Sequence, residues 1–287
     1  MAFQQALRKP DPVCDLTARY WCDGFVIVRG LFSRNEVAGI GKAIDQLREE
    51  GLAHARSFRH GNLFYNVVEG ADGKPRVPMV QWPSYHQPVL NAVRTDARIA
   101  ELLDNLIGGD LKQIINQVHW KPNGAKADFA WHQDSRSRRP FHAYRNLGDS
   151  YVQTGLAIDP HTPESGCMRF IPGSHALGDL QLDLGDTVLG RSMSDEALAA
   201  VGIDAAEAVD LVMEPGDLAL WSPFLVHGSG ANRSDHDRRL YINGYVRARD
   251  CDRGEWTFRG GRPVPLGPEP SLVHYEALHE RGGPHYL

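Results

Sequence analysis

Between residues 111 and 246, short apolar runs alternate with polar positions and are cut at close intervals by Gly, Pro and Asp. Successive side chains on a strand point to opposite faces, so this period-two pattern predicts half-buried strands. The run from Gln113 through Ile114, Ile115, Asn116, Gln117, Val118 and His119 to Trp120 is one such strand. Asp217 to Trp221, launched by Pro215 and Gly216, is another. Many short strands separated by turn residues are the pattern of a β-sandwich or jelly roll. Upstream the period changes. Ser33 and Glu36 form a capping box, after which Val37, Ile40, Ile44 and Leu47 recur at helical spacing as far as Gly51. A second helix is predicted over Ala97–Ile107, where Ile99, Leu102, Leu103 and Leu106 make the apolar stripe and Gly108 and Gly109 end it. The expected architecture is mainly β (α+β), one domain over 1–287. It has a helical surround about 1–110, a jelly-roll core about 111–250 and an extension 251–287 over the barrel mouth or at a dimer contact. Lid-like segments are expected at 56–73, 135–150 and 177–204.

Composition narrows the class of protein. A chain of 287 residues with 42% hydrophobic content can bury a large core in one domain. Its formal charge of −5 argues against general nucleic-acid binding. No apolar stretch approaches the ~20 residues of a membrane span, and Met1 to Cys14 lacks the apolar run of a signal peptide. Cys14, Cys22, Cys167 and Cys251 form no C-x-x-C pair, which fits reduced thiols. These features fit an ordinary soluble enzyme; a cytoplasmic location, a monomer or homodimer, a small-molecule substrate and no nucleic-acid or membrane partner are expected.

The candidate chemistry lies in Trp131-His132-Gln133-Asp134 and the distant His227. Two residues apart on an extended segment, His132 and Asp134 project from one face and can reach one metal ion. The third ligand must come from another strand, and His227 follows the strand that ends at Trp221. Two imidazoles and a carboxylate suit divalent iron first and zinc second, and leave positions open on an iron ion.

The longer segments around these residues are informative as a set. Trp131 to Asp134, Val152 to Asp159, Glu164 to His175 and His227 to Ser234 closely resemble the phytanoyl-CoA dioxygenase family, over most of the chain from about Gly24 to Val246. The resemblance implies a double-stranded β-helix, the cupin-type jelly roll, and a non-haem Fe(II) enzyme that uses 2-oxoglutarate and O2. It implies His132, Asp134 and His227 as iron ligands, with Arg238 holding the far carboxylate of 2-oxoglutarate and Ser229 and Gln117 as further cosubstrate contacts. A guanidinium suits that role, because a carboxylate in a dry barrel needs a compensating charge and can accept two parallel hydrogen bonds from it. Arg239, the next residue on a strand, would face the other way. The family chemistry converts 2-oxoglutarate to succinate and CO2 while oxidising an unactivated C–H bond, with hydroxylation the default outcome. Retention of Asp134 disfavours halogenation, in which the carboxylate ligand is replaced by a small residue.

Substrate-binding candidates are Arg136, Arg138 and Trp131. The loop after the H-x-D carries Arg136, Arg138, Arg139 and Arg145, cations able to recruit a carboxylate or phosphate if the loop folds over the metal. Two other classes compete with the oxygenase. One is a zinc hydrolase using the same three ligands and a metal-bound water; the other is a non-catalytic, cupin-like binding protein.

Overall fold

In the computed structural model, residues 14–70, 72–124, 129–180, 193–271 and 281–287 are described. The strands are β1 (Phe25–Val28), β2 (Phe58–His60), β3 (Leu63–Glu69), β4 (Pro75–Gln81), β5 (Leu111–Lys121), β6 (Phe129–His132), β7 (Tyr151–Ala157), β8 (Met168–Phe170), β9 (Val209–Asp210), β10 (Leu218–Trp221), β11 (His227–Ser229), β12 (Arg238–Arg247), β13 (Glu255–Arg259), β14 (Arg262–Pro263) and β15 (His285–Tyr286). They form two antiparallel sheets. The larger runs β1-β10-β7-β12-β5-β4-β3-β2-β15, with β13 also on β5, and the smaller runs β6-β11-β8-β9. Long jumps between sequence neighbours in these orders are those of a double-stranded β-helix, so the jelly-roll expectation holds.

The helices cover one face of the large sheet. α1 is Cys14–Asp23, α2 Arg34–Leu52, α3 Pro88–Arg94 and α4 Ala97–Ile107. Ser33 caps α2 through the predicted box: its hydroxyl accepts from Glu36 N, and the Glu36 carboxylate accepts from Ser33 N. Val37, Ile40, Ile44 and Leu47 of α2 and Ile99, Leu103 and Ile107 of α4 are buried in one cluster with Val118, Trp120, Leu156, Leu220 and Tyr241 of the sheet. Each fully buried aliphatic side chain contributes about 1.5–3 kcal/mol to holding the helices there. The alternate residues of those strands therefore face the opposite way, toward the small sheet.

The region 1–110 is more than a helical surround. It supplies β1 to one end of the large sheet and β2, β3 and β4 to the other. The extension after residue 250 also returns to this sheet, since β13 pairs with Leu111–Gln113 of β5 and β15 with β2. Of the expected lid segments, 71 and 181–192 lie outside the described residues.

Candidate metal centre

His132 ends β6 and pairs directly with His227, the first residue of β11. Cross-strand partners lie close enough for their side chains to meet, and the two imidazole centroids are 4.1 Å apart. Asp134 lies just past the end of the strand. Gln133 keeps an extended backbone (φ −118°, ψ 135°), and Asp134 then opens a 3-10 turn, Asp134–Ser137. One extended residue between them is enough to bring Asp134 to the side of His132. Potential ligand atoms of His132, Asp134 and His227 all lie within 4.8 Å of one another. Gln133 points the other way, where its side chain donates to the carbonyls of Gly178 and Phe224 and accepts from Leu180 N, fixing the turn.

The imidazoles are oriented by their own backbone. His132 Nδ1 donates to the Ala130 carbonyl and His227 Nδ1 to the Leu225 carbonyl, both at 2.9 Å. Each Nε2 is thereby left with its lone pair for a metal. Burial and the neighbouring His227 pull the His132 pKa down to about 4, which keeps it neutral and ligand-competent. For Asp134, burial alone would raise the pKa. His227, Arg138 and His132 outweigh that effect, with Trp221 adding a hydrogen bond, and hold the carboxyl below its usual range. Trp221 Nε1 donates to Asp134 Oδ2 at 3.0 Å.

Deeper in the barrel, Arg238 and Arg239 separate as strand alternation requires. Arg239 is paired outward with Asp159 at 2.7 Å and Asp45 at 2.9 Å. Arg238 is 5% exposed. Its Nη1 has one long contact, 3.4 Å to His161 Nδ1, and its Nε has no hydrogen-bond partner. Burial lowers its pKa to about 10. A cation buried without a carboxylate partner among the described residues fits a site built for an anionic ligand. In the register, Arg238 opposes Lys121, whose ammonium donates to Ser229 Oγ at 2.9 Å. The Ser229 proton is then free to point at another acceptor.

Gln117 and His119 lie on the same inner face of β5, opposite Ile242 and Leu240 of β12. His119 Nε2 donates to Gln117 Oε1 at 2.9 Å. Burial, with Arg238 nearby, pulls the His119 pKa down to about 4. Phe64, Asn66, Met79, Gln81, Gln117 and Ile242 are only half-buried on this concave face, whereas their strand neighbours Tyr65, Val80, Val118 and Tyr241 are fully buried under the helices. The barrel interior is therefore an open chamber beside the triad.

The three substrate candidates part company. Arg138 is 3% exposed and sits at the chamber wall, with Nη2 2.8 Å from Tyr151 OH and 3.9 Å from Asp134 Oδ1. Arg136 turns toward Asp179 at 3.4 Å. Trp131, next to a ligand on β6, faces away from the metal: its indole donates to Asp195 at 2.9 Å and packs with Met193 and Leu198. Strand alternation that directs His132 inward directs Trp131 out, which corrects its expected place in the substrate site. His161, Lys121 and His119 were not expected at the site. Their only sequence signal is the inward phase that β5 residues share with Gln117 and, for His161, none.

A jelly roll that gathers two histidines and a carboxylate at one point, with a buried arginine further in, fits the class of non-haem iron oxygenases that use 2-oxoglutarate. The chain belongs to the phytanoyl-CoA dioxygenase (PhyH) family, whose model matches residues 20–240. Among curated relatives, Dioxygenase lolE1 of Epichloe uncinata is 27% identical over 161 residues, 56% of each chain, so this chain spans about half of that relative's length. The solved structure of the epimerase SnoN in complex with Fe3+, alpha ketoglutarate and nogalamycin RO is 25% identical, with a TM-score of 0.62 over 90% of this chain and 97% of that one. EctD from S. alaskensis with 2-oxoglutarate and 5-hydroxyectoine shares the fold at 22% identity, TM-score 0.63, over 90% of this chain and 84% of that one. Iron and 2-oxoglutarate are the cofactor and cosubstrate of the centre. Among the described residues, no helix is long and apolar enough to cross a membrane.

Proposed function

We propose that the protein hydroxylates an unactivated C–H bond of a small molecule, using Fe(II), O2 and 2-oxoglutarate and releasing succinate and CO2. The observation that carries this reading is the pairing of a preformed triad with a buried, carboxylate-free Arg238. When bound, iron and 2-oxoglutarate supply the oxidising power, and the protein supplies position, electrostatics and exclusion of water. His132, Asp134 and His227 hold the metal. Arg238 meets the far carboxylate of the cosubstrate, the Ser229 hydroxyl donates to the same group, and Gln117 faces the cosubstrate across the chamber. The open face lined by Phe64, Met79 and Gln81 admits the substrate.

The test is to add Fe(II) and then 2-oxoglutarate to metal-free protein without oxygen. A visible charge-transfer band that is absent in His132→Ala is the expected result. No band, with zinc tightly retained instead, refutes the reading. With oxygen, substrates are then screened by succinate release. Product analysis separates hydroxylation from an epimerase-type outcome such as the SnoN name describes, since both begin from the same C–H bond.

A further inference from the structure

Arg138 is not among the three candidate ligands, yet it is a buried cation beside one of them, Asp134. It follows the 3-10 turn that begins at Asp134, and its side chain is 4% exposed. Its surroundings are constructed around it. Nη2 donates to Tyr151 OH at 2.8 Å and to Gln153 Oε1 at 3.3 Å, the guanidinium lies 5.0 Å over the Tyr151 ring, and Tyr151 OH itself donates to Gln153 Oε1. Gly244, opposite Gln153 on β12, makes room for this group: a Cβ there would collide with Tyr151 OH and stand 2.7 Å from Gln153 Oε1. These partners are neutral. Among the described residues the one carboxylate within reach is Asp134, at 3.9 Å, itself a candidate metal ligand. Nε is buried with no partner.

The charges assign what is missing. With Fe(II) and 2-oxoglutarate bound, Asp134 and the near carboxylate would offset the two charges of the metal, and Arg238 would offset the far carboxylate. Arg138 would then share its one carboxylate, Asp134, with the metal and have no carboxylate of its own among the described residues, an arrangement that an anionic ligand completes. We propose that Arg138 is a specificity-determining residue that binds an oxyanion head of the substrate, a carboxylate or phosphonate, at the chamber wall beside the metal. Tyr151 and Gln153 fix the guanidinium so that its remaining N–H groups are presented to that head, which anchors the molecule and directs its oxidisable carbon. The substrate is thus a small organic acid whose reacting C–H lies a few bonds from the charged group. This rests on the iron and cosubstrate reading above.

The test uses the protein loaded with Fe(II) and 2-oxoglutarate under anaerobic conditions, titrated separately with acetate, methylphosphonate and neutral acetamide while the charge-transfer band is followed. At least one anion is expected to shift the band without abolishing it, and acetamide is not. Arg138→Gln should keep the band but lose the shift, the half-saturating anion concentration rising at least about 30-fold, and Arg138→Lys should recover part of it. The arms distinguish carboxylate from phosphonate as the preferred head. No shift from either anion, an equal shift from acetamide, loss of the band on adding an anion, or loss of the band in both Arg138 variants overturns the proposal. Absence of the band in the unaltered enzyme overturns the oxygenase reading and this proposal together.

Discussion

Removing the Arg238 guanidinium has two opposite consequences that together isolate its role. In the cosubstrate-free protein the group is buried with its Nε unpartnered, and burial lowers its pKa to about 10. Keeping it protonated there costs about 3 kcal/mol, at about 1.4 kcal/mol per pKa unit. Arg238→Met fills similar volume without the charge, so the metal-free protein should unfold at an equal or higher denaturant midpoint than the parent. With 2-oxoglutarate the sign reverses. Breaking a buried ion pair by removing one partner costs about 3–5 kcal/mol, so the cosubstrate dissociation constant should rise by about two to three and a half orders of magnitude. Titration of the charge-transfer band measures this directly, and thermal unfolding with and without 2-oxoglutarate measures it independently through linkage. Arg239→Met should leave cosubstrate affinity alone and lower stability, because that side chain is tied to Asp159 and Asp45. An unchanged 2-oxoglutarate affinity in Arg238→Met, or a large loss in Arg239→Met alone, would refute the assignment.

Trp221→Phe removes the hydrogen bond to Asp134 Oδ2 and should weaken Fe(II) binding by about 10–100-fold, read by competition with a chelator; unchanged affinity counts against a positioning role. Gly244→Ala places a methyl group against Tyr151 OH and Gln153, an overpacking that should cost about 1–3 kcal/mol in urea unfolding, and parental stability would show that the cluster relaxes freely. Acid should destabilise the metal-free protein in a defined window. Burial holds His119 neutral down to about pH 4 and lowers His161 well below its ordinary value of 6.5. The unfolded chain takes up those protons first, so stability falls as pH drops below about 6.5 and stops falling, for His119, near about 4, by at most about 3 kcal/mol. His119→Gln should flatten that slope, and a profile identical to the parent would refute it.

What could be read from sequence follows from which physical rules are local. Capping and helical period are local, so α2 and α4 appear in the chain much as they do in the fold. Strand alternation is local too: it separates Arg238 from Arg239, and it survives in Gln133 even though Asp134 has left the strand. The strands β1 and β4 hide for different reasons. Phe25–Val28 is a four-residue apolar run whose period is too short to declare a strand or a helix. Pro75–Gln81 contains two prolines, which argue against a central strand. Pro78 is tolerated because pairing with β5 begins only at Met79 and the register with β3 shifts across that point, so no ladder bond needs its missing N–H.

The arginine-rich loop shows where locality ends. Arg136, Arg138, Arg139 and Arg145 are equivalent by charge and nearly so by position, and the sequence offers no direction to separate them. In the folded chain Arg136 meets Asp179, Arg139 stacks at 3.4 Å on Phe141, and Arg145 pairs with Asp252 at 2.8 Å. Arg145 is exposed, so its pair is worth little, and Arg136 and Arg139 are half-buried. Arg138 alone of the four is carried inside, and what carries it there is Tyr151 and Gln153 on β7, with the space left by Gly244 on β12. A buried cation needs partners from distant strands. Its function is therefore written in the register of β7 against β12, and only a perturbation that separates charge from volume, such as Arg138→Gln set beside Arg138→Lys, reads it out.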